Sequence, residues 1–132
     1  MEEVSITWQG EGLRFTGARG GHKTAIDGDA GIGPSPVALL LESVASCMAI
    51  DVVDILHKGR QGLTGLSVRT LAKRREEPPR YVWWLRLEFE IAGDVDEAKA
   101  ERAVQLAFDR YCSVFHSLRK DLEVESEVTL RG

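Results

Sequence analysis

The sequence predicts an α+β fold with a mostly antiparallel sheet, and three observations carry that prediction. Short stretches alternate apolar and polar residues at period two and are separated by glycine-rich turns. One long stretch, from Pro36 to about Lys58, repeats its apolar residues at helical spacing. Strands and helices do not alternate one for one, which argues against a parallel sheet built from βαβ units. The 132 residues suit one domain, residues 1–132, with a single core.

Three short strands come first. "VSITWQG" alternates and ends at an "EG" turn, "LRFTGA" runs to a break at Gly20 and Gly21, and "HKTAID" follows. "GDAGIGPSP" has no periodicity and reads as a loop. Ser35 is placed to cap the long helix, with Pro36 at its first position and Gly59 at its end. "GLTGLSVRTLAKRREE" and "RYVWWLRLEFEIAG" alternate again and form a long hairpin bridged by "EPPR". Asp96 caps a second helix, "DEAKAERAVQLAFDRY", whose apolar positions Ala100, Val104, Ala107 and Phe108 keep helical spacing. "SVFHSLRKD" is a short amphipathic helix with Ser113 as its cap, and "LEVESEVTL" is a closing strand. The predicted order is therefore β-β-β-α-β-β-α-(short α)-β.

Composition narrows the function. With 43% hydrophobic and 29% charged residues the chain is an ordinary globular one. A formal net charge of −4 argues against nucleic-acid or membrane-surface partners, since phosphate affinity rests on clustered Lys and Arg. The basic tract "KRREEPPR" is interleaved with glutamates and reads as a solvated strand end and turn. "MEEVSITWQG" lacks the basic start and apolar run of a secretory leader. The most apolar stretch contains Glu42, Asp51 and Asp54, which makes it a poor membrane span. The expected location is cytoplasmic. Cys47 and Cys112, 65 positions apart, are no secreted disulfide framework. In a reducing compartment such a pair points to redox chemistry, metal binding or core filling, and composition leaves the three open.

On a helical wheel of residues 36–58, one arc is wholly apolar, with Val37, Ala38, Leu41, Val44, Ala45, Met48, Ala49, Val52, Ile55 and Leu56. Glu42, Ser43, Ser46, Cys47, Asp51, Asp54, His57 and Lys58 share the other half, where Leu39, Leu40, Ile50 and Val53 intrude. That half is expected to face a cleft or a partner subunit. A cysteine there is a small packing residue or a reactive thiol. Reactivity requires a thiolate, yet Cys47 is too far from the helix N-terminus for the dipole to help, and Asp51 and Asp54 would raise its pKa. A cation would have to come from elsewhere, and arginine suits the task.

Cys112 precedes Ser113, and backbone N–H groups at a helix start there would favour a thiolate. The Cys112–His116 spacing shares a helical face only if the helix already includes Cys112. As a zinc site it is poor: no CxxC, and no clear third or fourth ligand among His22, His57 and Cys47. His116 as a general base for Cys112 has no stronger signal than His116 as a packing residue.

"GPSPVALLLESVASCMAIDVVDIL" is similar to the loop, proline and Cys-bearing central helix of OsmC/Ohr proteins, and "YCSVFHSL" is similar to their second-cysteine segment. "WQGEGLRFTG" and "GHKTAIDG" resemble the N-terminal strands of the OsmC-like branch. The resemblance implies an OsmC-like fold, a mostly antiparallel sheet around a long central helix, in an intertwined homodimer with each site at the subunit interface. It implies a thiol-dependent peroxidase that reduces organic hydroperoxides in oxidative stress defence. Cys47 takes the peroxidatic role and Cys112 the resolving one. No bound cofactor or metal is implied, and an external thiol or dithiol restores the cysteines.

The pattern departs from strongly active members at one point. Their glutamate soon after the loop proline pairs with a catalytic arginine, whereas Val37 and Ala38 stand there in this chain. Glu42 is the nearest substitute, and Arg19 and then Arg14 are the candidate cations, with His22 nearby. Leu40, Met48 and Phe115 would favour an alkyl peroxide over bare hydrogen peroxide. Two rivals stand beside this reading: an OsmC-fold small-molecule-binding or stress-response dimer with little turnover, and a metal-bound structural protein.

Overall fold

Alternation at period two becomes strand wherever it was expected. The computed structural model describes residues 1–132, and the chain falls into two units, Met1–Leu40 and Leu41–Gly132. In the first unit β1 (Ser5–Trp8), β2 (Arg14–Arg19) and β3 (His22–Asp27) form an antiparallel sheet in that order. Arg19 pairs with His22, so Gly20 and Gly21 make a two-residue turn, with Gly20 at φ +59°. The following loop is organised by Asp27, which is only 2% exposed. Its carboxylate accepts the N–H groups of Asp29, Gly31 and Ile32 at 2.8–3.1 Å. These bonds, Asp29 first, with Arg14 alongside, hold the Asp27 carboxyl below its ordinary value against the opposing effect of burial.

Helix α1 spans Pro36–Lys58, and Ser35 Oγ accepts the Ala38 N–H at 3.3 Å, as an N-cap should. The helix stops where expected, but by a different residue. Arg60, not Gly59, takes the left-handed conformation (φ +59°). Gln61 N–H then reaches the Leu56 carbonyl at 2.9 Å and Arg60 N–H the His57 carbonyl at 3.0 Å, a Schellman closure with Gly59 as the C-cap. No helix is long and apolar enough to cross a membrane.

In the second unit β4 (Gly62–Arg74) and β5 (Val82–Asp94) make the long hairpin. Gly93, at φ +115°, sits at its irregular end, where a Cβ would meet the Gly62 carbonyl. β6 (Glu123–Arg131) lies on the other edge of β5 and pairs with it in parallel. Three of the four strand pairings are antiparallel, as the mostly antiparallel expectation has it, and this edge is the parallel one. The segment between β5 and β6 contains α2 (Glu97–Leu106), a crossover that returns the chain to the end of the sheet where β5 began. Asp96 Oδ2 caps α2 through the Lys99 N–H at 3.1 Å.

Leu85, Leu87, Phe89 and Ile91 of β5 are at most 1% exposed. They form the core with Val44, Met48, Val52 and Leu56 of α1 and Ala100, Ala103 and Val104 of α2. The fourfold spacing on α1 is the stripe the wheel predicted. The opposite face of the sheet is charged, with Arg86 between Glu88, Glu125 and Glu127 at 2.6–3.1 Å.

Candidate functional site

Helix α1 puts Cys47 and Asp51 one turn apart on one face, and that geometry needs only their spacing of four. Cys112 arrives by a less regular route. After Leu106 the helix widens into a π turn, Ala107–Tyr111, closed by Cys112 N–H to the Ala107 carbonyl at 2.9 Å. Cys112 itself is extended (φ −73°, ψ 98°), and a 3-10 turn, Phe115–Ser117, follows. The two sulfurs and one Asp51 carboxylate oxygen all lie within 4.8 Å of one another. Both thiols are free; Cys47 is half-buried and Cys112 is wholly buried.

The trio is electrostatically tense. Burial pushes the Cys112 thiol up to about 11; the Phe115 N–H, 3.3 Å from its sulfur, pulls the other way, and Cys47 and Asp51 add to the rise. Burial, then the neighbouring Asp54, raises the Asp51 carboxyl. Asp51 Oδ2 is buried with no hydrogen-bond partner, an uncommon and costly condition for a carboxylate oxygen. As a donor set the trio offers two thiols and one carboxylate, one ligand short of a closed zinc site. The histidines weighed as ligands, His22, His57 and His116, are not in it.

The other sequence candidates fall elsewhere. The 3-10 turn has no side-chain cap, so Ser113 does not cap it; the sulfur of Cys112 takes the Phe115 N–H instead. Because Cys112 lies outside that turn, it shares no helical face with His116. The His116 ring sits 2.7 Å from the Phe108 carbonyl and edge-on to Phe115. Glu42 is exposed on α1. In the first unit Arg14 engages Glu11 at 3.3 Å and Asp27 at 3.9 Å, and Arg19 engages Glu2 at 3.0 Å. Met48, expected to meet an alkyl group, is fully buried in the core and has no free surface to offer. Phe115 is half-buried against Phe108, and Leu40 is exposed. Asp51 was legible as a neighbour of Cys47 through its spacing, but not as a member of the site, because that depends on where Cys112 lands.

Helix, sheet and paired cysteines define a class. Residues 27–127 match the OsmC-like protein family, and the chain belongs to it. It is 41% identical over 125 residues to protein YhfA of Escherichia coli K12, covering 92% of each chain. The crystal structure of a hypothetical protein from Aquifex aeolicus superposes with a TM-score of 0.87 at 28% identity, covering 100% of this chain and 98% of that one. The organic hydroperoxide resistance protein OhrB of Bacillus subtilis shares the fold with a TM-score of 0.70 at 17% identity, covering 98% of each chain.

Proposed function

We propose that this chain is a thiol-dependent peroxidase that reduces organic hydroperoxides to alcohols in oxidative stress defence. The observation that carries the proposal is the meeting of two free thiols on α1 and the π turn, one half-buried and one wholly buried. The half-buried Cys47 thiolate attacks the O–O bond. The hydroxyl oxygen passes to sulfur, making Cys47 a sulfenic acid, and the alkoxide departs and takes a proton from solvent to become the alcohol. Cys112 then condenses with it, releasing water and forming a disulfide, which an external thiol or dithiol reduces. A reducing cytoplasm would keep both thiols in the free state the cycle starts from.

The active form in this reading is a homodimer. Ile50 on α1 is 67% exposed, and beside it runs an apolar groove of about 520 Å³ lined by Ala49, Val53, Leu63 and Leu66. Such a patch suits a second copy of the chain. Purified protein with cumene hydroperoxide and a dithiol, run beside Cys47→Ser, tests the chemistry; equal rates in the two samples would sink it.

A second reading, a binding or stress-response dimer with little turnover, draws on the acidic setting of the thiols. Asp51 stands beside the pair and opposes thiolate formation at Cys112. Ultraviolet titration of the Cys47 thiolate separates the two: a value in the ordinary free-thiol range favours binding over catalysis.

A further inference from the structure

We infer that Asp51 is the base that takes the proton from Cys112 when this thiol attacks an oxidised sulfur at Cys47. The inference rests on Cys47 being the attacked sulfur, as proposed above, and gives Asp51 a part in the second step.

Three observations converge on it. Cys112 has no exposed surface, so no base from solvent can reach its proton. A carboxylate oxygen of Asp51 lies within 4.8 Å of both sulfurs, a span that a small closure or one water bridges. Asp51 Oδ2 is buried and unpartnered, which leaves it a vacant acceptor position inside the protein. No rival base faces Cys112. From its own segment the nearest histidine, His116, is bound to the Phe108 carbonyl, and the Phe115 N–H is a donor. From α1, Cys47 is the reacting partner, and Asp54, which acts on Asp51, is exposed and paired with Lys58 at 2.9 Å. Burial matters here in two ways. It makes the Cys112 thiol too weak an acid to ionise by itself near neutrality. It also raises the proton affinity of Asp51, which improves it as a base.

The step balances. The Cys112 S–H bond breaks as the S–S bond to Cys47 forms, and its proton passes to the Asp51 carboxylate. The group on Cys47 leaves with its electron pair. When that group is hydroxide, from the sulfenic acid, it takes the proton from Asp51 and departs as water, so Asp51 ends as it began. Peroxide is the oxidant that forms the sulfenic acid.

A simpler role would have the opposite sign. If Asp51 only repelled a Cys112 thiolate, removing its charge would speed the attack. Dithiobis(nitrobenzoate) distinguishes the two without any peroxide. Cys47 of the reduced chain displaces one coloured thiolate, and Cys112 expels a second as the intramolecular disulfide closes. With Asp51→Asn we expect the second phase to slow on the order of 10²-fold relative to the first. Its rate should then climb about tenfold per pH unit toward the Cys112 pKa, whereas in the native chain it should plateau near neutrality and fall in acid as Asp51 protonates. A second phase in Asp51→Asn as fast as the native one, or faster, overturns the inference. Should Asp51→Asn not fold, the native pH profile decides, and no acid fall overturns the inference equally. The same samples treated with cumene hydroperoxide keep the two proposals apart. Accumulation of a dimedone-trapped sulfenic acid in Asp51→Asn supports both. Absence of sulfenic acid and disulfide in the native chain sinks the peroxidase reading while the aromatic-disulfide result still judges Asp51.

Discussion

In the second unit every core-facing side chain from Leu85 to Ile91 is at most 1% exposed, whereas in the first unit Ile6, Trp8 and Leu13 are each more than half exposed. One sheet is ordered by apolar burial against α1 and α2. The other is ordered by turn chemistry: a two-residue glycine turn and a loop drawn around the Asp27 carboxylate. Phe15 and Ile26 of this meander are half-buried, but a three-stranded sheet that leaves Ile6 and Trp8 uncovered gains little stability from those two. Those side chains are available to another surface, and a second copy of the chain fits the proposed dimer.

The largest expected break is on the buried side of this contrast. Phe89→Ala should cost about 3–5 kcal/mol, read by chemical denaturation, because it leaves a cavity between the sheet and its helices. Next is the alkaline limb of stability. The folded Cys112 pKa is raised from the free-thiol 9.0 to about 11, so its contribution is fully present below 9 and is lost as pH rises toward 11. Denaturation midpoints should fall over that window, and Cys112→Ala should flatten the fall.

The first unit should fail at the other end of the scale. The folded Asp27 pKa is depressed, so its contribution is present above 3.8 and is lost as pH drops through the lower folded value. Amide exchange at Asp29, Gly31 and Ile32 should accelerate there, and Asp27→Asn should accelerate it at all pH values. Smallest is Trp8→Ala, which should change single-chain stability by about 0.5 kcal/mol or less. If the uncovered sheet does meet a second copy, the same substitution should weaken self-association in sedimentation; unchanged association would remove Trp8 from that interface.

Local signals were readable wherever the chain decides for itself. Strand alternation, the span of α1, its Ser35 cap and the Asp96 cap follow from neighbours a few residues apart. What the sequence hid is what distance decides. The parallel seat of β6 depends on the crossover before it, not on any property of "LEVESEVTL". The switch from Gly59 to Arg60 at the end of α1 reflects a closure in which the non-glycine residue carries the left-handed turn. At the site, the cysteine pair was legible through resemblance. The replacement of Ser113 by a sulfur as the receiver of the Phe115 N–H, and the orphaned Asp51 oxygen, required the fold.

The π turn before Cys112 has a consequence for how this protein tolerates change. Its closing bond spans one residue more than an α-helical one, so the segment carries a phase offset of about 100°. What aligns the two sulfurs is then a count of residues, not their identities. Substitutions between Ala107 and Tyr111 that keep the count should leave the thiols facing each other, while removal of a single residue would restore helical phase and swing Cys112 away from α1. The pairing of the thiols is written in chain length, where point mutation has little purchase.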